Sequence, residues 1–220
     1  NAVENPDSQK DELREVYDLW TSFSNITFEE VTETATGNVV GDLRNAYVNR
    51  FSGDDNDGTA AFAYYPNNSA IGGDTWYIEP NSVSTNATFG DDTYGRMTAL
   101  HEVGHSIGFK HPFDGSSGTN ETLTGNGFTD EMRYSVMSYT RSDYKAFYES
   151  GGTLTSKNIY SNTPMVYDIA AVEFLYGAIT DANLGDTTYT FGDTSHQRIQ
   201  TLVDSGGTDT IDLTNARHRS

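Results

Sequence analysis

Three of the chain's five histidines lie in one short span, and their spacing constrains the fold more than any other feature. His101 and His105 are four residues apart, so on a helix their side chains lie one turn apart on the same face. Gly108 can adopt the left-handed conformation that ends a helix, which would bring His111 back to the same place. The sequence therefore predicts a helix ending near a glycine and three imidazoles around one metal ion.

The residue types predict a catalytic zinc at this position. Three neutral imidazoles leave one coordination position open, whereas structural zinc usually has thiolate ligands, and the chain contains no cysteine. Glu102 follows the first histidine, where its carboxylate can take a proton from a metal-activated water. The alternative is a helix with two surface histidines, but this would leave the glycine and the third histidine at set spacing unexplained.

The extended pattern H-E-x-x-H-x-x-G-x-x-H resembles the metzincin metallopeptidases. Pro112 after the third histidine and the S-V-M-S-Y sequence at 135–139 narrow this resemblance to the serralysins. Further serralysin-like stretches extend it from about Trp20 to the C-terminus. The resemblance implies an α+β fold: a metzincin catalytic domain with a twisted mixed sheet, an edge strand at the cleft and two main helices. The start of a β-roll-type C-terminal domain would follow.

The resemblance also implies roles for individual residues. Met137 would form a hydrophobic floor beneath the metal, although a lone methionine is ordinarily gap-filling core. Tyr139 would approach zinc as a fifth ligand and donate a hydrogen bond to the oxyanion. An extended polypeptide substrate would pair with the edge strand by β-augmentation. That strand is predicted at Ala60, Ala61, Phe62, Ala63 and Tyr64.

The segment after His111 departs from the serralysin pattern. Phe113 stands where that family usually has glycine, although Asp114 is retained. We expect this difference to change the rim of the cleft and not the zinc chemistry.

Two turns near the C-terminus predict a calcium site. In the serralysins the corresponding loops together enclose one Ca²⁺, with carboxylates, a hydroxyl and backbone carbonyls available as ligands. The second turn lacks a full G-G-x-G-x-D repeat, so two ordinary polar turns are the alternative. The positions carried over by the resemblance are Asn183, Gly185, Thr187, Asp204, Gly206, Gly207 and Asp209.

We expect residues 1–176 to form the zinc protease domain and residues 177–220 the beginning of the calcium-binding domain. The resemblance implies, as an expectation, that the chain begins after the family's N-terminal segment and stops before a repeat array. The expected function is that of a zinc-dependent endopeptidase that hydrolyses extracellular proteins by Glu102-assisted attack of water. The alternatives are a truncated, non-catalytic metal-binding module and a metzincin of another family, such as an astacin- or matrixin-like peptidase. Pro112 and the 204–209 turn argue against another metzincin family.

Composition excludes several classes of partner. The formal net charge of −19, from 32 acidic and 13 basic residues, would repel nucleic acid and anionic membranes and would attract calcium. No apolar run approaches membrane-spanning length. With the serralysin resemblance, we expect a secreted, extracellular monomer that acts on polypeptides and binds neither nucleic acid nor membranes.

Hydrophobic periodicity predicts the remaining elements. Leu13, Val16, Tyr17 and Trp20 indicate an amphipathic helix near the N-terminus. Asp168 is predicted to be a structural residue of the last helix, for which Gly177 is the C-cap. Helices are also predicted at 93–109 and 164–176, strands at 25–31, 39–48, 59–65, 74–78, 199–203 and 210–213, and loops at 113–133 and 141–162.

Overall fold

The computed structural model of the chain describes residues 2–3, 7–34, 36–37, 39–48, 59–78, 88–115, 129–191 and 199–215. Within them lie three helices, a four-stranded mixed sheet and two two-stranded sheets, which is consistent with an α+β metzincin domain. None of the helices in these ranges has the length and apolar character needed to cross a membrane. The division into two domains at residue 176 and the β-roll stay predictions.

The four-stranded sheet has the predicted edge strand. Its strands are β1 (Ala2–Val3), β2 (Asn45–Val48), β3 (Ala61–Ala63) and β4 (Thr75–Ile78), in the order β1-β2-β4-β3. β2 and β4 are parallel, whereas β1 and β3 run antiparallel to their neighbours. The backbone N–H groups of Tyr64 and Ile78 donate to the carbonyls of Asp74 and Ala60, so residues 60–64 all lie along β4.

The core lies between the sheet and the first two helices. Helix α1 (Asp7–Ser22) buries Leu13, Val16 and Trp20, as the periodicity predicts. Helix α2 (Tyr94–Ser106) is buried along nearly its whole length. The Trp20 ring packs edge-on against Phe109, with centroids 5.3 Å apart, so α1 covers the end of α2 and the turn that follows it.

Helix α3 (Val166–Tyr176) is held to the preceding chain by one buried carboxylate. Asp168 accepts hydrogen bonds from Ser135 Oγ at 2.7 Å and from the backbone N–H groups of Val136 and Met165 at 2.8 Å each. Burial raises the pKa of Asp168 to about 6, and the three donors oppose this rise. Gly177 ends the helix at φ 94°, as predicted, and donates its N–H to Glu173.

The strand predicted at 25–31 is wrong, and the strand predicted at 39–48 is wrong in part. Residues 25–31 form no strand; their alternation arises because Ile26 enters the core and Phe28 packs against Tyr17 of α1, with ring centroids 4.8 Å apart. Of the predicted strand at 39–48, only Asn45–Val48 pairs with the sheet. Ile26 and Phe28 in the first segment and Leu43 in the second contact the core from irregular backbone.

The predicted loop at 141–162 is also wrong, because it contains a β-hairpin. Strands β5 (Lys145–Ser150) and β6 (Thr153–Asn158) are joined through Gly151 and Gly152, both at positive φ. A Gly-Gly pair between two such runs is a recognised hairpin signal. Of the predicted loop at 113–133, residues 116–128 lie outside the described ranges.

Near the C-terminus, β7 (Thr188–Thr190) pairs in parallel with β8 (Thr210–Asp212). The strand predicted at 210–213 is therefore confirmed apart from its last residue. At 199–203, Ile199 makes one isolated bridge with Ser161, so the strand predicted there is wrong in extent.

The Asp168 contacts generate a prediction about stability. Replacing Asp168 with alanine removes the acceptor for two buried N–H groups and one hydroxyl, which should lower the free energy of unfolding by about 3 kcal/mol. Urea unfolding followed by tryptophan fluorescence measures this loss. Glu173→Ala on the same helix is the control and should change stability by less than about 0.5 kcal/mol; equal effects of the two substitutions would contradict the assignment.

Candidate metal centre

Helix α2 places His101, Glu102 and His105 in the interior. Thr93 caps its first turn by accepting a hydrogen bond from the N–H of Arg96 at 3.0 Å. The helix occupies Tyr94–Ser106 and not the predicted 93–109, because its last predicted residues form the turn that ends it. The rings of His101 and His105 are both buried, with centroids 4.7 Å apart.

The turn after α2 returns the third histidine, as the spacing predicts. Gly108 has a φ of +106°, which side-chain-bearing residues rarely adopt, and its N–H donates to His105. Phe109 then donates its N–H to Gly104 at 2.9 Å, reversing the chain. The His111 ring lies 4.6 Å from that of His105, and one ligand atom from each histidine lies within 4.8 Å of the others.

Each imidazole of this histidine trio (His101, His105 and His111) is oriented through its Nδ1 atom. An oxygen acceptor requires Nδ1 to carry the proton, which leaves Nε2 bare and able to bind a metal. The acceptors are the carbonyl of Val136 for His101 at 2.8 Å, the carbonyl of Phe109 for His105 at 2.6 Å, and Oδ2 of Asp114 for His111 at 2.8 Å.

The spacing of the bare nitrogens fits zinc. Nε2 of His105 lies 3.1 Å from Nε2 of His111, where two lone pairs repel unless a cation lies between them. Two nitrogens bound at about 2.0–2.1 Å to a tetrahedral zinc are separated by about 3.3 Å. Burial lowers the pKa of His101 to about 3 and also lowers the pKa of His105, so these rings remain in the neutral state that binds metal.

Glu102 is a buried carboxylate, and one of its oxygens makes no hydrogen bond to the described residues. Its side chain is 6% exposed, and within the described part of the chain its Oε2 atom has no hydrogen-bond partner. Burial raises the pKa of Glu102 to about 8. An orphaned buried oxygen is costly, so this atom is suited to meet a metal-associated water or a substrate.

The Met137 side chain packs against helix α2, and its role as a hydrophobic floor beneath the metal stays a prediction. Its side chain is 2% exposed, and a Cβ built on Gly104 would lie only 2.5 Å from its sulfur. Gly104 therefore makes the space that Met137 fills. The packing role of Gly104 was not predicted, although glycine in a helix interior costs about 1 kcal/mol relative to alanine and so indicates a packing requirement.

Three aromatic rings surround the histidine trio. Tyr139, predicted to approach the metal, is 63% exposed, and its ring centroid lies 4.6 Å from that of His111. The Phe113 ring stacks parallel to the His111 ring, with centroids 4.7 Å apart and an interplanar angle of 6°. Tyr65 packs edge-on against His105 at 5.3 Å. The roles of Phe113 and Tyr65 at the centre were not predicted.

Tyr65 also connects the edge strand to the centre. It follows the predicted 60–64 span directly, so the strand leads to the ring of His105. Burial, followed by the charges of Asp114 and Glu102, raises the pKa of Tyr65. The binding of a substrate along this strand stays a prediction.

The two turns predicted to bind calcium lie against each other. A Cβ on Gly207 would overlap the backbone of Gly185, and Asp209 Oδ1 accepts from the N–H of Thr187 at 3.0 Å. In the second turn, Asp204 accepts from Tyr189 Oη at 2.7 Å and from the N–H of Gly206 at 3.0 Å. Asn183 donates to the carbonyl of Val203. The predicted positions are thus brought together, and calcium binding stays a prediction.

The Asp114 contact generates a prediction about metal affinity. Asp114→Ala removes the acceptor of His111 Nδ1 and should weaken zinc binding about 10- to 100-fold, because the ring loses its fixed tautomer and orientation. Competition with a chromophoric chelator measures the dissociation constant. The exposed Asp143→Ala is the control for lost negative charge; an equal loss of affinity in that variant would show that charge alone is responsible.

Comparisons with known proteins agree with this geometry. A family model described as Met-zincin matches residues 92–191. The chain is 35% identical over 212 residues to the metallopeptidase AprA of Pseudomonas marginalis, covering 88% of this chain and 41% of that protein. It is 33% identical over 234 residues to serralysin of Proteus mirabilis, covering 97% of this chain and 45% of the relative, so it spans less than half of either protein. These matches and the zinc-binding trio identify the chain as a serralysin-like metzincin.

Proposed function

We propose that the chain provides the catalytic centre of a zinc-dependent endopeptidase that hydrolyses extracellular proteins. One observation carries the proposal: three bare Nε2 atoms converge, and the carboxylate that follows His101 in the sequence has a buried oxygen without a hydrogen-bond partner among the described residues. This arrangement supplies three metal ligands and one general base. His101, His105 and His111 would hold the zinc.

Zinc, when bound, supplies an activated water and a Lewis acid that polarises the scissile carbonyl. Glu102 is suited to take the proton from the attacking water, because its Oε2 atom is buried and accepts no hydrogen bond from the described residues. A nearby cation lowers the pKa of a carboxylate, so Glu102 would be ionised and basic with the metal present. The same carboxyl group then passes the proton to the leaving amine, which completes peptide hydrolysis.

Tyr139 and the edge strand would bind the substrate. The Tyr139 ring already contacts the rings of His101 and His111, at 5.5 and 4.6 Å. Its hydroxyl is therefore suited to approach the zinc as a fifth ligand and to donate a hydrogen bond to the oxyanion when substrate is bound. The outer side of β3 and its neighbours, residues 60–64, would bind an extended polypeptide through backbone hydrogen bonds.

The alternatives are less well supported. A structural zinc is usually four-coordinate with protein ligands, whereas the trio supplies three. Another metzincin family would not account for the named serralysin relatives. A secreted, monomeric protein without nucleic-acid or membrane partners remains part of the proposal, supported by the net charge of −19 and the serralysin resemblance.

Calcium is the second metal of the proposal. Asp204 and Asp209 would contribute carboxylates, and the contact between the two turns would bring backbone carbonyls within reach of the same ion. Calcium would replace the present partners of both carboxylates. The remaining positions are Asn183, Gly185, Thr187, Gly206 and Gly207.

The role of Glu102 is tested by Glu102→Gln. The amide keeps the size of the side chain but cannot accept the proton, so kcat/KM for casein or a peptide should fall about 10²- to 10⁴-fold. Zinc content, measured by atomic absorption, should not change. Glu173→Gln is the matched control at a position remote from the trio. Full activity of Glu102→Gln would end the proposed mechanism.

The calcium site is tested by thermal unfolding with and without calcium. Free calcium at 100 times its dissociation constant should add about 2.7 kcal/mol of stability, because it binds the folded state only. Asp209→Ala should abolish the increase, whereas the exposed Asp181→Ala in the neighbouring segment should retain it. If calcium leaves the unmodified protein's melting temperature unchanged, the two turns are not a calcium site.

A further inference from the structure

Phe113 lies against the third histidine because of a tight turn. The N–H of Asp114 donates to the carbonyl of His111 at 3.1 Å, and the N–H of His111 donates to Asp114 Oδ2 at 3.2 Å. The turn folds two side chains back onto one imidazole: Asp114 bonds its edge, and Phe113 stacks on its face at 4.7 Å and 6°. Phe113 is therefore held in a defined place beside the trio.

The same ring contacts Tyr139, with centroids 5.1 Å apart and planes at 54°. The Tyr139 backbone is fixed, because Ser138 accepts from the N–H of Thr140 and Thr140 accepts from the N–H of Met132. Its side chain is not fixed in this way: it is 63% exposed, and its hydroxyl makes no hydrogen bond within the described ranges. Among the described residues, it is ring contacts that hold the phenol over the trio.

We propose that Phe113 is a positioning residue that retains Tyr139 over the histidine trio by packing against the rings of both Tyr139 and His111. The inference rests on the proposed function, in which Tyr139 reaches the metal and the oxyanion. An exposed tyrosine exchanges readily between rotamers, and loss of one aromatic pair should shift its bound-to-released ratio about two- to tenfold.

Phe113 could act through Tyr139 or through His111, and the two roles predict changes in different measured quantities, kcat for Tyr139 and metal affinity for His111. If Phe113 acts through the phenol, its removal lowers kcat with little change in KM, because the oxyanion contact exists only in the transition state. In that case, removing Phe113 also has no further effect on kcat in a Tyr139→Phe background, where the hydroxyl is absent. If Phe113 acts only by holding His111, its removal weakens metal binding whether or not the hydroxyl is present.

The test uses Phe113→Leu, Phe113→Trp, Tyr139→Phe and the double variant Phe113→Leu/Tyr139→Phe. Leucine keeps an apolar side chain but has no aromatic face, and tryptophan keeps the face. Copper(II) replaces zinc for the first readout, because a phenolate bound to copper gives a charge-transfer absorption band that Tyr139→Phe must abolish. The second readout is kcat and KM of the zinc form, and the third is zinc affinity.

We expect the band in the unmodified protein and in Phe113→Trp, and a weaker band in Phe113→Leu that matches a two- to tenfold loss in the bound-to-released ratio. We also expect kcat to fall in Phe113→Leu at constant zinc affinity, with no further fall when this change is added to Tyr139→Phe. An unchanged band in Phe113→Leu, a loss of zinc affinity in its place, or no band in the unmodified protein would overturn the inference. The band reports the position of Tyr139 even if the protein does not hydrolyse peptides. Failure of the proposed function can therefore be distinguished from failure of this inference.

Discussion

The metal centre depends on the hydrogen bonds that hold the Nδ1 atoms of three histidines. Each acceptor comes from a different segment: the Val136 carbonyl from the turn at 136–137, the Phe109 carbonyl from the reversal after Gly108, and the Asp114 carboxylate from the turn after His111. Because each bond fixes a tautomer and a ring plane, the three Nε2 atoms are directed to one place. A helix carrying two histidines at the right spacing would not suffice without these acceptors.

The network continues outward to the last helix. Asp168 of α3 binds the N–H of Val136, whose carbonyl in turn binds His101. The backbone of Val136 thus donates a hydrogen bond to the Asp168 carboxylate through its N–H and orients His101 through its carbonyl. This places Asp168 in a structural role, as the sequence predicted, but with a direct connection to the centre that its position near a helix start did not indicate. Burial disfavours the charged forms of Glu102 and His101, so a bound cation would stabilise the folded protein by favouring the ionised carboxylate, as well as serve the chemistry.

The sequence was informative where function depends on side-chain identity and spacing. The trio, Glu102 and the edge strand were predictable because their spacing follows helix and strand periods, whereas the role of Met137 was expected only through the serralysin resemblance. The acceptors of His101 and His105 were not, because any residue supplies a backbone carbonyl and only the fold selects which one. Phe113 and Tyr65 were missed as neighbours of the trio for a similar reason: aromatic residues are common in this chain, and their ring contacts depend on turns. The irregular segment at 25–31 shows the converse error, in which alternating apolar residues enter the core without pairing as a strand.

The packing beneath α2 explains how a methionine that binds no metal can matter to the centre. Gly104 leaves a notch in the helix between His101 and His105, and the Met137 sulfur occupies it. Because Met137 follows Val136 directly, filling that notch fixes the distance between the Val136 carbonyl and the helix that carries His101. A shorter side chain at 137 would leave a cavity, and a Cβ at 104 would push the turn away. In both cases the first contact to change is the hydrogen bond to His101 Nδ1, so the methionine acts on the metal through its neighbour's backbone.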